Sequence, residues 1–140
     1  MLPGCAALTL AAICLSLTSD GDTANRMGPG RTCRSALQAD AELSCGTYGF
    51  GDLRHLCPAH DAAGGCRATE QVTVRNTGPG AVYVTVIHGP RQGERRQSPE
   101  TEIAPGRTAV LRPGHGRLLF DITLRGSGPG PKSLAVVGVR

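Results

Sequence analysis

The chain has 140 residues, 15 Lys+Arg against 11 Asp+Glu for a net charge of +4, two Phe, two Tyr and no Trp. That length holds one domain. Its modest charge is spread from Arg26 to Arg140 without interleaved aromatics for base stacking, which argues against nucleic-acid binding. The core must be built from Val, Leu, Ile and Ala, which bury less area each than aromatics, so covalent ties would help a domain this small.

The first segment, Cys5 to Leu17, is uncharged and apolar, and small polar residues follow it. Its length fits the apolar stretch of a signal peptide and is too short to span a bilayer. A signal peptide is therefore expected at residues 1–19, with cleavage between 19 and 24, although no Lys or Arg precedes the apolar run. The alternative is a buried N-terminal helix or strand. The expected mature chain is secreted, lacks a transmembrane segment, and begins with a flexible tail at 20–32. A single small domain follows at 33–140, with a cysteine-containing cap at 33–66 and a β region at 70–140.

Cys33, Cys45, Cys57 and Cys66 remain after the leader, an even set that reads as two disulfides in an exported chain. Three pairings are possible, and loop-closure entropy does not separate them. Cys45, Cys57, His60 and Cys66 are also a conceivable zinc set. Structural zinc ligands usually come in pairs two to four residues apart, and only Cys57 with His60 has that spacing. The expectation is therefore disulfides, with no metal and no cofactor.

A short helix is predicted from Ala36 to Ser44, because Ser35 and Gln38 form a capping box and Gly46 can end it. A loop runs on to Gly65, with one helical turn at Asp52–Leu56 before Pro58. From Glu70 the apolar period becomes two. Val72 and Val74 alternate with Thr73 and Arg75, Thr77–Gly80 turns the chain, and Val82, Val84 and Val86 share a face. Further strands are predicted at Glu102–Ala104, Arg107–Arg112, Arg117–Arg125 and Ser133–Val139. Leu118, Phe120, Ile122 and Leu124 form the longest stripe, and Pro-Gly turns separate the segments. Short strands at this spacing predict a mainly β fold: a small antiparallel β-sandwich or open barrel with a disulfide-tied, partly helical N-terminal cap.

The segment VTVRNTGPGAVYVTVI, with the later EIAPGRTAVLRPGHG, resembles strand pairs of bacterial extracellular immunoglobulin-like modules over residues 70–116. The usual inter-sheet cysteine and core Trp are absent. The resemblance implies a binding or structural role. GGCRATEQVTV and APGRT are similar to the cysteine-strand-APG pattern of small secreted α-amylase inhibitors of actinomycetes, although their inhibitory Trp-Arg-Tyr triplet is missing. Cys57-Pro58-Ala59-His60-Asp61 is similar to the C-x-x-H-D stretch of secreted phospholipases A2, which would give His60 a base role and Asp61 a calcium-holding one. The glycines of AAGG then stand where that family needs a sustained helix.

No nucleophile elbow, P-loop or dinucleotide fingerprint occurs. The expected function is an extracellular binding or interaction module and no enzyme. The alternatives are a hydrolase inhibitor and, below it, a lipolytic enzyme. The polar segment at residues 90–102 is the candidate contact loop on a rigid scaffold. Its Arg91, Arg95 and Arg96 suit an acidic protein or glycan surface, because guanidinium groups pair carboxylates or sulfates with two hydrogen bonds.

Overall fold

Val-rich alternation with Gly-Pro turns leaves one apolar face on each strand, and two such faces bury each other. In the computed structural model, which describes residues 27–36, 41–57 and 65–140, this happens between two antiparallel sheets. The strands are β1 (Thr32–Ser35), β2 (Leu43–Ser44), β3 (His55–Leu56), β4 (Arg67–Ala68), β5 (Val72–Asn76) and β6 (Val82–Gly89). Then follow β7 (Arg96–Gln97), β8 (Thr101–Ile103), β9 (Thr108–Leu111), β10 (Leu118–Gly126) and β11 (Lys132–Val139).

One sheet has the order β1-β11-β5-β9, and the other runs β2-β10-β6, with β7 and β8 both pairing the far side of β6. A small ribbon joins β3 to β4. Val72, Val74, Leu134 and Val136 from the first sheet meet Val82, Val84, Ile122 and Leu124 from the second in one core. The architecture is thus the open, sandwich-like antiparallel alternative, with no closed barrel. At about 25 cal/mol per Å2 of apolar area, burying a Val or Leu side chain contributes roughly 1.5–3 kcal/mol.

The predicted strands from residue 70 onward all form, within one or two residues of their expected ends. The stripe on β10 is phased differently from expectation. A bulge between Leu119 and Asp121 shifts the register, so Leu119, Ile122 and Leu124 enter the core while Leu118 is half-buried. The extra residue, Phe120, is also buried but packs apart from that cluster and carries the guanidinium of Arg95 at 5.4 Å from its ring centre. A bulge leaves one residue unpaired and bends its strand. Here Asp121 Oδ1 accepts from the N–H groups of Ile122 and Gly46, at 2.8 and 2.9 Å.

The N-terminal cap departs more from expectation. Of the predicted helix, Ser35 ends β1 and Leu43–Ser44 is β2, while residues 37–40 lie outside the described ones. Tertiary pairing overrides the local capping signal: β1 adds to the edge of β11, β2 adds to β10, and the Cys33–Cys45 disulfide joins the two segments. Gly46 begins a wide helical turn, Gly46–Phe50, closed by the Gly51 N–H on the Gly46 carbonyl at 3.0 Å. Its Phe50, together with Leu53, is fully buried in the core. The turn expected at Asp52–Leu56 is instead irregular chain ending in β3. Order also begins before Cys33: Met27 packs on the core and the Gly30 N–H donates to Val136 O at 2.9 Å, which shortens the expected tail. The expected leader lies outside the described residues.

Candidate functional site: an arginine-lined groove

The second disulfide, Cys57–Cys66, closes the arm that carries β3 and β4. Thr69 anchors that arm: its hydroxyl donates to Leu53 O at 2.6 Å and its N–H to Arg54 O at 3.0 Å. Arg67 and Ala68 of β4 thereby form one wall of an open groove of about 750 Å3. Facing them is the turn from β9 to β10, Arg112-Pro113-Gly114-His115-Gly116-Arg117. Gly114 has φ +100°, a backbone shape that L side chains rarely adopt. The Arg117 N–H donates back to its carbonyl at 3.2 Å. Pro90 and Leu118 contribute apolar lining, and Arg140 also lines the groove.

Four arginines, Arg67, Arg112, Arg117 and Arg140, therefore line the groove together with Glu70, and the Arg140 main-chain oxygen accepts from the Glu70 and Gln71 N–H groups at 2.7 and 2.8 Å. Glu70 reaches Arg140 Nε only at 3.9 Å, and both side chains are exposed. Between Arg112 and Arg140 stands a neutral acceptor. Gln71 Oε1 accepts from Arg112 Nη2 at 2.9 Å and from Arg140 Nη2 at 3.1 Å. Gln71 Oε1 carries no charge to offset the two cations, and Glu70 contacts Arg140 only at 3.9 Å, an arrangement suited to an oxyanion.

Beside the groove, Arg117 Nη1 lies 3.4 Å from His88 Nδ1, and Arg96 pairs with His88 across β6 and β7. Burial, then Arg117, then Arg96 push the His88 pKa below its ordinary value. This corner of the sheet is thus cationic without His88 having to carry charge.

The three arginines expected to form the contact are all exposed and have separate neighbours. Arg91 is engaged by Glu94 at 3.1 Å, Arg95 stacks on Phe120, and Arg96 lies in β7. The segment at residues 90–102 is also less free than expected. Ser98 binds Val86 through both its N–H and its hydroxyl, and β7 and β8 run along β6. Glu100 accepts two hydrogen bonds from Arg125, which depresses its pKa, and Arg125 stacks on Tyr83 at 4.6 Å. Of the three, only Arg96 adjoins the groove's cations, through His88 and Arg117.

Cys45, Cys57 and Cys66 are held in disulfides, so their sulfurs are not available as zinc ligands. His60 and Asp61 lie outside the described residues. No helix among the described residues is long and apolar enough to cross a membrane. The groove arginines are not singled out from sequence because Arg67, on the separate β3–β4 ribbon, and Arg140, after β11, join the others only in the folded chain. A local sign did exist: Arg112 and Arg117 bracket a Pro-Gly-His-Gly turn. No protein-family model, curated protein or solved structure matches this chain.

Proposed function

We propose that the chain is an extracellular binding module that takes an acidic partner into the arginine-lined groove. The observation that carries this reading is the convergence of Arg112 and Arg140 on the uncharged Gln71 Oε1. An incoming carboxylate, sulfate or phosphate oxygen would meet donors already oriented by that amide, at little ordering cost. The two disulfides and the apolar run at Cys5–Leu17 support an extracellular setting. Binding, and not catalysis, is favoured because the groove holds cations and apolar surface without a nucleophile–base pair.

Retention on immobilised polyglutamate, read as the salt needed for elution, tests the reading. The double variant Arg112→Ala/Arg140→Ala should elute at clearly lower salt than the parent. Arg75→Ala/Arg107→Ala, which removes the same charge from exposed positions elsewhere, should elute close to the parent. Equal shifts in both variants would mean that only net charge matters, and the groove would lose its role.

A further inference from the structure

We infer that the partner presents an extended acidic peptide segment, which adds as a third strand to the open edge of β4. The inference rests on the binding role proposed for the groove and identifies what fills it. In the β3–β4 ribbon, His55 lies opposite Ala68 and Leu56 opposite Arg67. The Thr69 N–H donates to Arg54 O. Narrow and wide pairs alternate along an antiparallel ladder. His55–Ala68 is therefore the pair without mutual hydrogen bonds, and the N–H and C=O of Ala68 point away from β3. Among the described residues, β4 pairs with β3 alone.

That open edge borders the groove, since Arg67, Ala68 and Thr69 all line it. An extended peptide laid there gains main-chain hydrogen bonds from the N–H and C=O of Ala68 and sends alternate side chains to the two sides. Carboxylates on one side reach Arg67 and the Arg112–Arg140 pair. Apolar side chains on the other meet Pro90 and Leu118. A sulfated glycan would satisfy the cations but not these apolar residues, and no Trp, Tyr or Phe lines the groove to stack on a sugar ring. The volume of about 750 Å3 is within the usual range for ligand sites. Charge on Arg67 and Glu70 also discourages β4 from pairing with a second copy of itself.

The test uses the full disulfide-bonded chain and two labelled probes: a soluble peptide of alternating Glu and Val, and a sulfated oligosaccharide of equal charge. Fluorescence anisotropy should show the peptide binding more tightly. Arg112→Ala and Arg140→Ala should each weaken it about tenfold, the loss expected for one charge-assisted hydrogen bond. Gln71→Glu places a carboxylate between the two arginines, so it should abolish peptide binding without lowering the melting temperature. Hydrogen exchange at the Ala68 amide should slow when peptide is bound. Ala68→Pro, which removes that donor at unchanged charge, should weaken the peptide and leave the oligosaccharide unaffected. If the oligosaccharide binds and the peptide does not, or if the Ala68 amide exchanges unchanged under bound peptide, strand addition is overturned while anion binding stands. If neither probe binds, both readings fail.

Discussion

Arg112 and Arg140, from β9's C-terminal flank and the residue after β11, donate to the same atom, Gln71 Oε1, at 2.9 and 3.1 Å. That shared amide oxygen is uncharged, and Glu70 reaches Arg140 only at 3.9 Å. An oxyanion that binds there should stabilise the folded state by mass action. Sulfate should therefore raise the melting temperature of the parent more than that of Arg112→Ala at matched ionic strength. The variant corrects for the general exclusion effect of sulfate on protein surfaces. Identical increments in the two proteins would remove the anion site.

Asn76, the last residue of β5, is fully buried. Its Nδ2 donates to the carbonyls of Gly80 and Ile103, each at 2.8 Å, and its Oδ1 accepts from the Gly78 N–H at 2.9 Å. Asn76→Ala leaves all three backbone groups without that partner. The expected cost is about 2–4 kcal/mol in urea unfolding, because unsatisfied buried groups forfeit more than a hydrogen bond contributes on average. A cost below about 0.5 kcal/mol would mean that water replaces the side chain.

Gly89 ends β6, where a Cβ would collide with the carbonyl of Glu94 and press on the ring of Phe120. Gly89→Ala should destabilise by about 1–3 kcal/mol, in the range of overpacking substitutions. Removing the Arg95 guanidinium from the same ring should cost less, about 0.5–1 kcal/mol. Thermal melts of the two variants would order them.

The disulfides differ in exposure. Cys33 and Cys45 are fully buried, whereas Cys57 and Cys66 are exposed. Mild reductant followed by alkylation and peptide mass mapping should label Cys57 and Cys66 first. Loss of the inner bridge should lower stability by about 2–4 kcal/mol. Loss of the outer one should chiefly weaken groove binding, because it frees the arm that carries Arg67.

His88 contributes a pH dependence whose sign follows from its depressed pKa. The folded state binds this proton less readily than the unfolded chain does. The stability it contributes is complete above its ordinary value of 6.5 and declines as pH falls from there through the lower folded value. Depressed Asp52 and Glu100 act in the same direction at lower, carboxylate pH. His88→Gln should flatten the upper part of this decline in melts recorded from neutral to mildly acidic pH, with the carboxylate part retained.

The β region was legible because each strand carries its own period and each turn its own glycine or proline. Val82, Val84 and Val86 identify the inner face of β6 without reference to any other segment, and they do face the core. What was not legible depends on distant partners. The Ser35–Gln38 capping pattern is local, yet Ser35 is held in β1 by its pairing with Lys132. The bulge at Phe120 depends on the fit of β10 to β6, so a clean alternating stripe concealed a change of phase. The arginines at 91, 95 and 96 cluster in sequence but have separate partners, while those at 67, 112, 117 and 140 are scattered in sequence and assembled by topology.

The pairing of β1 with β11 has a consequence for how the molecule comes into being. The first described strand waits for the last, so one sheet cannot be completed until Lys132–Val139 has been synthesised. Closing so long a loop is entropically slow, and folds dominated by distant pairings form slowly. Cys33 lies in β1 and Cys45 directly follows β2, so their disulfide ties the two sheets together. Until Lys132–Val139 is made, β1 has no β11 edge to pair with. The chain's unpaired strand edges are exposed to aggregation until the final strand arrives.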